Sequence, residues 1–180
     1  MTGLPAKIVA IHKALAKAEL PHAFGGALAL AWCTARARGT IDIDLNIFVG
    51  IEHSEQALRA LPKKIAWDKD SLRVLHRDGQ IRIWWDKTPL DLFLNSTPFH
   101  AEVALRTRWE TFSNTSIPFL SCQDIAVFKA FYNRTKDWAD LEEMHAAGTL
   151  SIAQVAATLV QYLGADDERI ARLNVLSGTH

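Results

Sequence analysis

The stretch from Thr40 to Val49, TIDIDLNIFV, constrains this chain more than any other. Apolar and polar side chains alternate along it and β-branched residues are frequent, which predicts a strand with two unlike faces. Successive side chains of a strand point to opposite sides, so Asp42 and Asp44 project from the same face. Ahead of them, His22 to Phe24 reads as a short strand and Gly25-Gly26 as a tight turn, and Ala27 to Arg38, rich in Ala and Leu, reads as a largely buried helix stopped by Gly39. Strand, glycine turn, helix and acid-bearing strand follow one another within one short βαβ stretch.

Two carboxylates on one strand face suit a hard divalent cation, which takes oxygen ligands and keeps water or phosphate in its remaining positions. A third acid on a neighbouring strand would complete a two-metal site, and Asp91, the one charge in the apolar run Leu90 to Leu94, is the natural candidate. Asp86 is the second choice, although beside Lys87 and Pro89 it also reads as a solvated turn carboxylate. Other readings stay open at this level. Alternating acids also mark the wet face of an edge strand, and a buried Asp91 can be satisfied by Arg82 or Arg106. Gly25 and Gly26 let backbone N–H groups approach a phosphate at the positive end of a helix, and equally serve a plain strand-to-helix turn.

Elsewhere, Ile8, Ile11, Leu15 and Leu20 recur at roughly helical spacing until Pro21, predicting a helix over 4–19. Residues 53–61 form a helix closed by Pro62. Asp78-Gly79, flanked by Ser71–Arg77 and Gln80–Trp85, carries the strongest short hairpin signal in the chain. Residues 99–108 read as a helix, 117–120 as a strand, and 122–133, 136–146, 151–163 and 165–175 as helices, the first opened by Ser121 with Asp124 three residues on. The expected fold is α/β, a small mixed twisted sheet flanked by helices. The boundary falls where strands give way to helices, dividing 1–120 from a helical subdomain over 121–180 that closes one side of the cleft.

Composition narrows the function classes. Twenty Lys and Arg balance twenty Asp and Glu, so no general basic field is available for sequence-independent nucleic-acid binding, and a polyanion must meet a local patch or a metal. No apolar run approaches a membrane span, and Lys7, His12, Lys13, Lys17 and Glu19 interrupt what would have to be a signal peptide's apolar stretch. The cytoplasm is the default compartment. Cys33 and Cys122 lie far apart without the close spacing of a zinc or CxxC motif, and both read as reduced thiols. The tryptophans, Trp84, Trp85 and Trp109 among them, read as core or sheet-face residues, and the histidines show no ligand spacing.

The run FGGALALAWCTARARGTIDIDLNIFV, followed by PLDLFL, resembles the catalytic signature of the polymerase-β-like nucleotidyltransferase superfamily. The later segment CQDIAVFKAFYNRTKDWADLEEM is similar to a helical motif of its small bacterial branch, which includes abortive-infection-type nucleotidyltransferase toxins. The resemblance implies transfer of a nucleoside monophosphate from an NTP to a hydroxyl acceptor (an RNA end, a protein or a small molecule), dependent on Mg²⁺ or Mn²⁺. Asp42 and Asp44 would bind both metals, and Asp91 would hold the catalytic metal and help activate the hydroxyl. Gly25 and Gly26 would hold the triphosphate, with Arg38 and Thr40 steadying the acid strand or touching phosphate. Lys129 would neutralise triphosphate charge, and Asp137 and Asp140 match the branch's Asp-x-x-Asp pair. These helix residues also fit an ordinary mixed-charge surface, with pairs such as Lys136 and Asp140. Ala27 departs from the pattern, because many members carry Ser there as a phosphate donor. A cognate toxin or antitoxin is the implied protein partner. Two rivals share the fold: a transferase acting on an aminoglycoside or lincosamide hydroxyl, and a noncatalytic binding partner.

Overall fold

The computed structural model describes residues 3–34, 36 and 39–178. They form two compact units, Met1–Leu28 with Gly39–Leu120, and Ala29–Arg38 with Ser121–His180. The first holds a mixed seven-stranded sheet, β1 (His22–Phe24), β2 (Ile43–Gly50), β3 (Ile65–Ala66), β4 (Gln80–Trp85), β5 (Thr88–Asn95), β6 (Arg108–Phe112) and β7 (Thr115–Phe119), in the order β3-β4-β5-β2-β1-β7-β6. Pairs β2–β5 and β1–β7 are parallel, and the remaining neighbours are antiparallel. This is the α/β architecture expected.

At the sheet's centre the period-two pattern does what alternation requires. Ile43, Leu45 and Ile47 of β2 and Leu90, Leu92 and Leu94 of β5 are buried, and Asp44, Asn46 and Asp91 alternate with them. Helix α1 (Leu4–Lys17) buries Ile8, Ile11 and Leu15, one stripe at helical spacing. It also buries Lys7, whose ammonium donates to the Trp85 carbonyl (2.7 Å) and the Thr88 hydroxyl (3.0 Å) and lies 3.4 Å from Asp86. Asp86 sits at φ 53° between β4 and β5, so its carboxylate serves the hairpin turn and its lysine.

The expected hairpin at Asp78-Gly79 is corrected. Residues Lys69–Asp78 form helix α4, opened by a reciprocal Asp68–Ser71 capping box and closed by Gly79 at φ 68°. A glycine in the left-handed region serves a helix end as well as a hairpin, and here the capping box decides for the helix. The true turn lies one strand later, at Asp86. The helix expected over 99–108 is shorter, because α5 stops at Ala104 (Pro98–Ala104) and Arg108 already opens β6. The β6–β7 turn uses Ser113 and Asn114, both at positive φ, the arrangement a two-residue hairpin prefers. Helices α2 (Gly26–Thr34) and α3 (Ser54–Ala60) stand where expected.

The second unit contains α6 (Cys122–Tyr132), α7 (Thr135–Ala146), α8 (Ile152–Leu163) and α9 (Glu168–Leu176). Ser121, Ser151 and Asp167 cap α6, α8 and α9 by accepting from the N–H of Asp124, Gln154 and Arg169. The reading of both cysteines as free thiols is overturned, because Cys33 and Cys122 form a disulfide, with Cα atoms 5.5 Å apart. Their separation of 89 residues hid the pairing, which depends on the last turn of α2 meeting the first of α6. Among the described residues, no helix is long and apolar enough to cross a membrane.

One buried pair gives the first unit a pH signature. His22 Nδ1 lies 2.8 Å from the Leu20 carbonyl, which can only accept, so Nδ1 carries the proton and Nε2 accepts from His12 Nδ1 at 2.9 Å. Burial pushes His22 down to about 4, against the pull of the Leu20 bond and with help from His12. Below the unfolded imidazole's 6.5, the unfolded chain takes a proton that the folded protein refuses until about 4. Stability is therefore complete above that window and falls as pH drops through it, by about 3 kcal/mol. Thermal melts between pH 7 and 4.5 measure the slope, which His22→Gln flattens.

Candidate active site

The three sequence-predicted acids meet at the start of β2. Asp44 is paired in register with Asp91 across parallel β2–β5, and residues opposite one another share a sheet face. Asp91 is paired in turn with Arg82 across antiparallel β4–β5, so one lateral row reads Arg82, Asp91, Asp44. Arg82 Nε and Nη2 each donate to a carboxylate oxygen of Asp91 at 2.7 Å, a two-pronged pair, and Nη2 lies 3.6 Å from Asp42 Oδ2. The carboxylates of Asp91, then of Asp42 and Asp44, hold the guanidinium proton more tightly than usual. Asp42 just precedes β2. Its backbone is braced by Thr40, whose hydroxyl accepts from the Asp42 N–H at 3.1 Å and reaches its carbonyl at 3.2 Å.

Gly25 and Gly26 close in on the same acid. The Gly25 N–H donates to the Asp44 carbonyl at 2.9 Å. Gly26, at φ 55°, opens α2 so close to the Asp44 side chain that an added Cβ would overlap its carboxylate and lie 3.0 Å from its Cβ. A Cβ on Gly25 meets only the movable Leu120 Cδ1 at 3.0 Å. The two glycines therefore differ. Gly26→Ala forces Asp44 aside and adds about 1 kcal/mol of left-handed backbone strain, whereas Gly25→Ala needs a small shift of Leu120. Thermal melts are expected to show Gly26→Ala less stable by about 1 kcal/mol or more and Gly25→Ala nearly unchanged.

Lys129, Asp137 and Asp140 form a cluster of their own within the helical unit. Lys129 Nζ lies 2.6 Å from Asp140 Oδ2 and 3.3 Å from Asp137 Oδ1, and Arg134 Nε donates to Asp137 Oδ2 at 2.6 Å. Burial works to raise the Asp137 carboxyl pKa, but the Arg134 hydrogen bonds and the charges of Lys129 and Arg134 outweigh it and hold the group below its ordinary value. Asp140 is paired with Lys129. Arg38 lies outside the described residues. Arg82 was weighed from sequence only as a partner for Asp91; its place opposite Asp91 depends on the β4–β5 register, which a misplaced hairpin turn conceals.

Several solved structures share this arrangement of elements. Antibiotic-resistance factor ANT(2'')-Ia, in complex with adenylyl-2''-tobramycin, matches with a TM-score of 0.56 at 16% identity, over 97% of this chain and 96% of that one. The lincosamide antibiotic adenylyltransferase LnuA, lincomycin-bound, matches at 0.53 and 12% identity over 78% and 96%. An antigenic nucleotidyltransferase-like protein from Paracoccidioides brasiliensis matches at 0.53 and 14% over 93% and 92%. This chain has the nucleotidyltransferase fold. At these identities the likeness is one of architecture. No family model matches the sequence, and no curated protein does. Within the nucleotidyltransferase fold, the row of Asp42, Asp44 and Asp91 beside the Gly25-Gly26 turn is the candidate site. Among the described residues, no three His, Cys, Asp or Glu side chains are already gathered as a metal cage.

Proposed function

We propose that this chain is a metal-dependent nucleotidyltransferase that moves a nucleoside monophosphate from an NTP to a hydroxyl on an RNA end or a protein, in a setting that includes a cognate toxin or antitoxin. The observation that carries the reading is the acid row: Asp44 and Asp91 in register on one sheet face, and Asp42 within reach of the same arginine. Three carboxylates are hard oxygen donors and fit Mg²⁺ or Mn²⁺, which Asp42, Asp44 and Asp91 would hold. When bound, such an ion neutralises charge on the phosphate oxygens and makes an attacking hydroxyl more acidic.

The chain's own groups position the reactants. Gly26 opens α2, whose first N–H groups and positive end favour a phosphate. Without a Cβ at Gly26, that helix start stays against Asp44 and keeps phosphate and acids together. Asp91 orients the acceptor hydroxyl and accepts its proton. A bond then forms from the hydroxyl oxygen to the α-phosphorus, the bridging α–β P–O bond breaks, and pyrophosphate leaves. Ala27 supplies no side-chain donor, so backbone N–H groups carry the phosphate contacts.

The test is calorimetric titration of the folded protein with nonhydrolysable ATP, GTP, CTP and UTP analogues, with and without Mg²⁺. Metal-dependent binding of one analogue is expected, and it names the base. Folded protein that binds none of the four would be a noncatalytic member instead. A second reading keeps the site and changes the acceptor to an aminoglycoside or lincosamide hydroxyl, favoured by the fold shared with ANT(2'')-Ia and LnuA. Screening those drugs for inactivation by the protein with NTP and Mg²⁺ separates the two.

A further inference from the structure

Three carboxylates at one strand end repel one another, and a positive charge among them relieves the repulsion. The side chain that supplies it is Arg82. Its fork takes both oxygens of Asp91 at 2.7 Å and reaches Asp42 at 3.6 Å. It thus contacts two of the three acids to which the reading above assigns the metal. A guanidinium that uses both Asp91 oxygens and a divalent cation that needs one of them compete for the same lone pairs.

We propose that Arg82 is the resident counter-ion of the acid row and that metal binding displaces it from Asp91. The inference rests on the metal-dependent reading of the site. Displacement is open to this side chain, because it is 51% exposed and its long flexible stem lets the head turn into water. Its partner is more enclosed, with the Asp91 side chain 22% exposed, so the carboxylate stays in the row while the guanidinium leaves. Arg82 is then a positioning residue with an opposing effect. It holds Asp91 and Asp42 together when no metal is bound, and it weakens the binding of bare metal. Bare metal alone meets this competition in full.

The experiment is an Mn²⁺ titration without nucleotide, in which the electron paramagnetic resonance signal reports free ion. The proteins compared are the wild type, Arg82→Gln, Arg82→Lys and Asp42→Asn, each checked by thermal melt. Arg82→Gln is expected to bind Mn²⁺ about fivefold to tenfold more tightly than the wild type, the scale of one charge-assisted bidentate pair. Arg82→Lys falls between them, because an ammonium keeps the charge and loses the fork. Asp42→Asn abolishes the binding. An arginine that merely supported the structure would change the affinity in the opposite direction on removal. If Arg82→Gln binds equally or more weakly, while binding still depends on Asp42, the counter-ion role is overturned and the metal site stands. If no variant binds Mn²⁺, the metal-dependent reading falls, and this proposal with it.

Discussion

Asp42→Ala is expected to leave a folded protein whose nucleotidyl transfer is lower by about a thousandfold or more, the scale on which groups that stabilise transition-state charge act. The change separates function from folding because little of the fold leans on that side chain. Asp42 precedes β2, its carboxylate is 37% exposed, and among the described residues it is approached by Arg82 at 3.6 Å. An exposed pair of that kind contributes at most about 1 kcal/mol, and removing one of three like charges offsets part of it. The Thr40 brace uses the Asp42 backbone and survives. Transfer of label from the preferred NTP, measured beside a thermal melt, gives both numbers. Turnover that persists in the folded variant would remove Asp42 from the chemistry and the metal from the proposed site.

The largest loss of stability is expected from Lys129→Met, about 3 kcal/mol at neutral pH, because it removes the cation that lies between two buried carboxylates. Asp137 is fully buried and the Asp140 side chain 10% exposed, and Lys129 lies between them. Arg134 still pairs with Asp137 in the variant, while Asp140 loses its 2.6 Å partner. The pH dependence follows from the Asp137 carboxyl lying below its usual 3.8. Its pairing contributes stability above the unfolded value, and that contribution is lost as pH falls through the depressed folded one. Without Lys129 the Asp137 carboxyl takes up its proton at higher pH, so the gap between variant and wild type narrows toward acid. Denaturant unfolding at pH 7 and pH 4.5 measures both effects, and a gap that widens in acid would contradict this account.

The acid-bearing strand was legible in the sequence because it obeys purely local rules. Alternation set Asp44 apart from its apolar neighbours and the Leu-Asp-Leu-Phe-Leu order of β5 singled out Asp91, whereas the strand expected from Thr40 begins only at Ile43 and leaves Asp42 just before it. The C-terminal helices were legible for a similar reason, since Ser121 and Ser151 are caps followed by apolar periodicity. What escaped depended on choices between distant or nearly equal alternatives. Gly79 fits a helix end as well as a hairpin, and the Asp68–Ser71 box that decides between them lies ten residues upstream. The Cys33–Cys122 bond and the Arg82–Asp91 pair exist only once separate elements have been brought side by side. The exposure of Trp109, 61%, likewise follows from strand β6, which the sequence did not single out as a strand.

The central β2–β5 pairing also bears on how the protein is made. Asp42 and Asp44 leave the ribosome early, but their neighbour in the row arrives only with β5, after α3, β3, α4 and β4 have been synthesised. Parallel pairing between such distant segments is a slow, nonlocal event in folding. A nascent chain that ends before Asp91 carries Asp42 and Asp44 without their partner on β5, so it holds the glycine turn but not the whole row. The row is thereby incomplete during translation and forms only when the long-range contact closes.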